Sequence, residues 1–522
     1  MIKAHEYRAA APHRISQAGP STRDLLTEGG DARLALDPIT GRNRYGCSPH
    51  PDPGLADFGS STASVISERG FDAAETLRGR LYRAEPRGPS PAAYAEALER
   101  LRGGLIGLYG LNDLDGLDVI FSPSGTDLHL ILAELIGAGP DAPLVCIDVE
   151  PEETGSGVPA ALSGQHFGGH ASLGAPVTQG APVGAAAHRF VAIPCRAADG
   201  TLRPEIDVED ELNRVAQQAV DAGARILLAV SDVSKTGLIS PSLSAVAAFK
   251  ARFGAAAEII IDACQLRLAP ESLRAYLAQG CLVAVTGSKF LSGPSFSGAL
   301  FVPGAASERL KDRLISPGMR AYSTRGEWPK GWVAGQAMAE GVNVGLLLRW
   351  EAALAELAAF RALPPVAIAA FATRFAEAVT ARVIADPLFE PLETRRLDRA
   401  ALGAEVSWDQ IPTIFPFLLR HAPGGRGGLL SLAATLDVYR GASAEPFPAN
   451  PAVARARLGQ PVRCGARDER PISALRLCNS ARLIVEAVTG GEPAAAAVIA
   501  RAMAALDRTA SQVRAVSRTG RI

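Results

Sequence analysis

Two hydrophobic periods alternate along the chain. Over residues 91–109 apolar side chains recur at helical spacing (Tyr94, Leu98, Leu101, Leu105, Leu108) and Gly110 follows, which predicts an amphipathic helix with a glycine stop. Beyond it, to residue 302, short wholly apolar runs alternate with amphipathic ones. Val119-Ile120-Phe121, 144–149, 226–230, Ile259-Ile260-Ile261, 282–285 and 299–302 read as strands, and 127–136, 208–222, 244–253 and 271–279 as helices. Strands apolar on both faces need cover on both faces, so the alternation predicts an α/β fold with a mostly parallel sheet between helices. Ligands of such sheets gather where loops leave the carboxyl ends of the strands.

The flanks are patterned differently. Residues 1–75 are rich in Pro, Gly, Ser and Arg, as in Arg42-Asn43-Arg44-Tyr45-Gly46-Cys47-Ser48-Pro49, and predict an arm that packs on another part of the protein. Gly59-Ser60-Ser61-Thr62 is a small-residue loop, and Ser61 to Arg69 begins a helix. Between 154 and 203 the pattern lapses into Gly, Ala, Pro and His, a long excursion placed to cover a pocket. His166 and His170 lie four apart there, but Gly168 and Gly169 between them argue against a helix that would present both to a metal. A long helical stretch over 333–360 links a large domain (76–340) to a smaller C-terminal α+β domain (341–522). That domain has predicted helices at 366–384, 429–438 and 494–513 and strands at 413–419 and 474–478.

Composition narrows the function. The 522 residues are 48% hydrophobic and 20% charged with net charge -1, a balance that suits a folded protein and offers no basic field for nucleic acid. Seven scattered cysteines with no C-x-x-C pair exclude a zinc knuckle or a disulfide framework and read as reduced thiols. The first residues lack the apolar core of a signal peptide, and no apolar stretch approaches the ~18 residues of a membrane span, so the expectation is a cytoplasmic protein with no membrane partner.

The candidate chemistry lies in three loops that follow strands. Thr286-Gly287-Ser288-Lys289-Phe290-Leu291-Ser292-Gly293-Pro294 places one lysine among small residues, in a chain where arginine fills nearly every other basic position. A primary amine can form a Schiff base with an aldehyde, which a guanidinium cannot. Ser122-Pro123-Ser124-Gly125-Thr126-Asp127, between a strand and a helix, suits an anion such as phosphate at the helix start, though the same hydroxyls also serve as a helix cap. It is neither of the common nucleotide-binding glycine patterns. In Ile261-Asp262-Ala263-Cys264-Gln265 a buried strand ends in a carboxylate that must meet a cation, a ring N–H or a helix start, and Gln265 stands at a suitable distance for a second contact. A phosphate cup, a carboxylate for a protonated pyridine and a Schiff-base lysine are together the parts of a pyridoxal 5'-phosphate site.

In these residues the sequence resembles the fold-type I pyridoxal-phosphate enzymes, most nearly the class V aminotransferase and cysteine desulfurase branch, over roughly residues 60–490. The resemblance implies a seven-stranded-type sheet and a homodimer with a shared active site. It makes Lys289 the cofactor-bearing catalytic lysine. It assigns Ser124, Gly125 and Thr126 to the phosphate loop, Thr286 and Ser288 to further phosphate contacts, and Asp262 and Gln265 to the pyridine nitrogen and phenolic oxygen. Ser231 to Gly237 is similar to a segment beside the cofactor. Arg476, in Leu475-Arg476-Leu477-Cys478-Asn479, matches the arginine that grips a substrate α-carboxylate, for which a guanidinium fork is suited.

The chain also departs from the family pattern. A histidine more usually precedes the lysine, and no clear ring-stacking residue stands in 150–157, where Glu153 and Thr154 are the candidates. Gly341-Val342-Asn343 lacks the threonine that reaches a neighbouring subunit's phosphate, for which Ser323 or Thr324 would substitute. The implied activity is aminotransferase-like, on an amino acid or amine. The alternatives are a lyase or desulfurase, for which Cys464 between basic residues is the candidate nucleophile, and a non-catalytic cofactor-binding protein.

Overall fold

The computed structural model describes residues 19–137, 143–149, 152–184, 188–405, 407–422, 428–444 and 455–519. The first eighteen residues of the arm, and Glu150 and Pro151 of the ring-stacking segment, lie outside the described residues. The strands in chain order are β1 (Leu55–Phe58), β2 (Asp118–Ser122), β3 (Leu144–Val149), β4 (Arg189–Ile193), β5 (Arg225–Asp232), β6 (Ile239–Ser240), β7 (Ala257–Ala263), β8 (Leu282–Thr286), β9 (Gly298–Val302), β10 (Phe389–Pro391), β11 (Ile414–Leu419), β12 (Arg455–Arg467) and β13 (Arg470–Cys478).

The larger sheet runs β2-β9-β8-β7-β5-β3-β4, with the two-residue β6 paired to β5 as an eighth strand. β9 is antiparallel to both its neighbours, while β8, β7, β5, β3 and β4 pair in parallel. The apolar runs behave as their composition requires. Leu228, Val230, Ile259, Ile261, Val283 and Val285 enter one core, and the alternate residues Leu227, Ala229, Ile260, Leu282 and Ala284 enter a second core on the other face. Each of the valines, leucines and isoleucines among them contributes on the order of 1.5–3 kcal/mol by leaving water. The α/β architecture with a mostly parallel, helix-covered sheet is therefore as expected.

Register brings the strand ends together. Ser231 of β5 lies opposite Asp262 of β7, Asp262 opposite Ala284 of β8, and both Ser122 of β2 and Thr286 of β8 opposite Gly298 of β9. The loops that follow β2, β5, β7 and β8 thus share one edge of the sheet.

A second sheet, β1-β12-β13-β11-β10, is antiparallel except where β1 pairs in parallel with β12. β1 carries the end of the arm into this sheet, and the earlier arm packs on the helix Val344–Arg361. There the buried Arg349 donates to the carbonyls of Leu26, Glu28 and Gly29 and to Phe296 O. Among the described residues no single helix is long and apolar enough to cross a membrane.

Some elements differ from the sequence pattern. The stretch 333–360 is two helices, Val333–Ala337 and Val344–Arg361, because Asn343 caps the second, its side chain accepting from Leu346 N–H at 2.9 Å. The helix expected from Ser61 starts only at Glu68, after its cap Ser67, and residues 60–62 form a turn. The helix expected over 429–438 runs instead from Leu432 to Ser443.

Candidate functional site

The helix Gly125–Gly137 starts directly behind β2. Ser124 Oγ accepts from Asp127 N–H at 3.3 Å and donates to the Asp127 carboxylate, so this serine is a helix cap as well as a wall of the loop. Burial, then Asp31, pushes the Asp127 carboxyl up to about 6. The cup is closely packed. A Cβ on Gly125 would lie 2.7 Å from Cys264 Sγ, and one on Gly298 would lie 3.0 Å from the Ser124 carbonyl. The segment 152–157 passes over Thr126, with Gly157 leaving only 3.0 Å to the Thr126 methyl for any Cβ.

At the end of β7, Asp262 Oδ1 accepts from Cys264 N–H at 3.0 Å, and Oδ2 lies 3.5 Å from His129 Nε2. Burial alone would raise this carboxyl. His129, Lys289 and the Cys264 N–H outweigh burial and hold it below its ordinary value. Gln265 donates from Nε2 to Ser61 O at 3.0 Å while its Oε1 is buried without a partner.

Lys289 is half-buried, and its backbone is gripped from two sides. Ser64 of the arm donates its N–H to Ser288 O (3.0 Å) and its hydroxyl to Lys289 O (2.9 Å), and Phe290 N–H reaches Gln265 O at 3.4 Å. Thr286 Oγ1 donates to Cys264 O at 2.6 Å, and the Ser288 hydroxyl lies 3.5 Å from Thr286 Oγ1. These bonds tie the lysine loop to the end of the aspartate strand.

Arg476, on β13, is 1% exposed. Its Nε donates to Ser61 Oγ at 3.0 Å and Nη2 to Thr62 Oγ1 at 2.7 Å, while Nη1 has no partner. Ser61 therefore joins Gln265 to Arg476. Lys235, on the loop after β5, is a second lysine here. Its N–H donates to Glu153 O at 2.9 Å, and burial followed by the charges of Arg476 and Lys289 pushes its amine down to about 8.

The structure thus brings Ser124, Gly125, Thr126, Asp262, Gln265, Thr286, Ser288, Lys289 and Arg476 to one place. Of the ring-stacking candidates, Glu153 is committed elsewhere, to Arg196 (2.9 Å), Ser234 (2.8 Å) and Thr236 (2.6 Å), whereas Thr154 is buried with an unpartnered hydroxyl. Ser323 and Thr324 both bind the Glu327 carboxylate, which occupies the hydroxyls expected to reach a phosphate. Cys464 faces inward on β12 with its thiol 3.1 Å from Val462 O. Burial pushes it up to about 11, the reverse of the activation expected from its basic neighbours, because Arg463 points out on the alternate face.

Sequence reasoning did not single out His129, Lys235 or the contacts of Ser61, Thr62 and Ser64. For His129 a signal existed: it is the only imidazole in Leu128-His129-Leu130-Ile131-Leu132, a helix buried on every face, and a polar ring there requires a partner.

Arg476 Nη1, Gln265 Oε1 and Thr154 Oγ1 are buried polar atoms left open around Lys289 and Asp262. With the glycine-lined cup at Gly125, they form a donor and acceptor set that fits a planar, phosphorylated group and a carboxylate.

No family model matches the chain, and no curated protein sequence matches it. Solved structures do. The cystine C-S lyase C-DES in complex with cysteine persulfide superposes with a TM-score of 0.51 at 15% identity, covering 86% of this chain and 97% of that one. A NifS-like protein gives 0.52 at 11% identity over 86% and 99% of the two chains. The cysteine desulfurase CsdA from Escherichia coli gives 0.50 at 13% identity over 88% and 95%. The chain shares the fold of these proteins, which is the fold-type I architecture.

Proposed function

We propose that this protein is a pyridoxal-phosphate-dependent enzyme that works on an amino acid, with Lys289 as the residue that carries the cofactor and amino-group transfer as its reaction. The observation that carries this reading is the buried, part-paired Arg476 guanidinium, joined through Ser61 to Gln265 at the end of the aspartate strand. The fold neighbours support the cofactor part of this reading, since a C-DES mutant has been solved with glycine covalently linked to its PLP cofactor.

Bound there, pyridoxal phosphate supplies an aldehyde for amines and a protonated pyridine ring that withdraws electrons from the substrate's Cα. The remaining work belongs to the chain. The N–H groups at the start of the helix Gly125–Gly137 bind the phosphate, with the Ser288 and Thr286 hydroxyls beside it. Asp262, held ionised, keeps a proton on the pyridine nitrogen. Lys289 Nζ, once free, takes and returns the proton at Cα. Arg476 binds the carboxylate with the donors that Ser61 and Thr62 leave open, so the carboxylate is retained.

A second reading is carbon–sulfur bond cleavage, favoured by the superposition on a cystine C-S lyase. Attack by a cysteine of this chain is disfavoured, because all seven cysteines are buried. A homodimer and a cytoplasmic location belong to the same proposal.

Incubation with pyridoxal phosphate followed by borohydride should fix the cofactor's mass on the peptide containing Lys289, and Lys289→Ala should lose it. A wild-type protein that takes up none ends the proposal. An amino-acid screen then separates the two readings: a keto acid formed only with a 2-oxo acid acceptor supports transfer, and ammonia or sulfide without one supports cleavage.

A further inference from the structure

His129 is 1% exposed and has no place in the chemistry described so far. Its Nδ1 lies 2.7 Å from Gly125 O, within the same helix. A carbonyl only accepts, so Nδ1 carries a hydrogen and Nε2 is the nitrogen left to face Asp262. Nε2 has no hydrogen-bond partner and sits 3.5 Å from Asp262 Oδ2. With a proton on Nε2 the ring and the carboxylate form a buried ion pair, and without it two lone pairs oppose each other.

We infer that His129 is a positioning residue for Asp262: pinned by Gly125 O, it presents Nε2–H to the carboxylate and keeps Asp262 ionised and aimed at the pyridine nitrogen.

The inference rests on the cofactor reading above and extends it to a residue behind the ring. The other groups facing Asp262 are few. Lys289 comes from the loop after β8, the Cys264 N–H and thiol from its own strand end, and Ser231, whose hydroxyl is unpartnered, from β5. A buried carboxylate that keeps only one backbone N–H and one distant lysine is expected to take up a proton, and a protonated Asp262 no longer holds one on the pyridine nitrogen. His129 links that carboxylate to the phosphate cup as well, because its anchor is the carbonyl of the cup's own glycine.

The test compares His129→Leu with His129→Gln, whose side-chain N–H reaches roughly where Nε2–H stands. Absorption of the bound cofactor is followed from pH 5 to 10, together with pyridoxal phosphate affinity. His129→Leu should shift the pH profile of the absorption bands and weaken the affinity about tenfold, and His129→Gln should restore the wild-type profile. A leucine variant that binds pyridoxal phosphate with the wild-type pH profile overturns the inference and leaves the cofactor reading intact. A wild type that binds none fails the cofactor reading first. Imidazole nitrogen shifts in the cofactor-free protein give a second readout that does not depend on loading: hydrogens on both Nδ1 and Nε2 are expected, and a ring with either nitrogen bare overturns it.

Discussion

Arg457 and Arg476 stand on adjacent strands of the same sheet, both 1% exposed, and they have opposite surroundings. Arg457 meets a carboxylate of this chain. Its Nε and Nη2 donate to Asp57 at 2.8–3.1 Å, and Nη2 also reaches Ala63 O, while Asp57 accepts the N–H groups of Gly59 and Val65. Among the described residues Arg476 meets only the hydroxyls of Ser61 and Thr62 and keeps Nη1 open. Burial pushes both guanidiniums down, yet Asp57 outweighs it and raises Arg457, whereas nothing does so for Arg476, which stays lowered. The difference teaches how to tell a structural cation from a receptor. The carboxylate beside Arg457 closes the fold there, whereas Arg476, left with hydroxyls, has the free edge that the proposed function assigns to a substrate carboxylate.

The largest effect that would break this contrast comes from removing Asp57 and Arg476 separately. Asp57→Ala strands Arg457 in the interior and should cost about 3–5 kcal/mol of stability, read as a large fall in the denaturation midpoint. Arg476→Met deletes a cation that no carboxylate balances, so the midpoint should hardly move. Its cost should appear as about 2–4 kcal/mol in kcat/KM for the amino acid that the screen identifies, about a 30- to 1000-fold loss. If Arg476→Met unfolds the protein as Asp57→Ala does, both arginines are structural and the carboxylate assignment falls.

How much of this was legible in the sequence follows from the same physics. The strands at 226–230, 259–261 and 282–285 could be read because both faces are buried and every residue is apolar. The loops at Ser124, Asp262 and Lys289 could be read because small hydroxyl residues and single charges interrupt such runs. β12 could not: after Arg455-Ala456-Arg457-Leu458 the alternation breaks at Gly459-Gln460-Pro461, where the register shifts before Val462, and Arg457 on the polar phase is buried all the same. β4 was hidden in the excursion because four of its five residues are only partly buried or exposed. The partner of Arg476 was out of reach for another reason. Ser61 is 415 residues away in the chain, and only the docking of the arm beside β12 joins them.

The next effect is smaller and sharpens the contrast through two glycines. A Cβ on Gly459 would lie 2.7 Å from Arg476 Nε and 2.6 Å from Ser61 Oγ, and a Cβ on Gly59 would lie 3.0 Å from Arg457 Cζ and 2.8 Å from Leu458 O. Each glycine gives its guanidinium room, so alanine at either place forces a shift worth about 1–3 kcal/mol. The currencies should differ. Gly59→Ala pushes on a clamped ion pair and should lower the midpoint, while Gly459→Ala can be relieved by moving a guanidinium with a free edge and should raise KM for the carboxylate substrate.

The smallest effect is a pH dependence that only one arginine should show. Burial alone would raise the Asp57 carboxyl, but Arg457 and then Arg482 hold it below its ordinary value, so folding favours the ionised form. A carboxyl with a depressed folded pKa contributes stability that is fully present above its unfolded value, about 4, and is lost as pH falls through the folded value. The wild-type midpoint should therefore decline below pH about 4 in part through Asp57, and Asp57→Asn, destabilised at neutral pH, should decline less steeply in that window. Among the described residues no carboxylate bonds Arg476, so Arg476→Met should leave the acid slope of the cofactor-free protein nearly as it is. An acid slope that flattens in Arg476→Met and persists in Asp57→Asn would mean that the guanidinium on β13, not the one on β12, is the one balanced by a carboxylate of the chain.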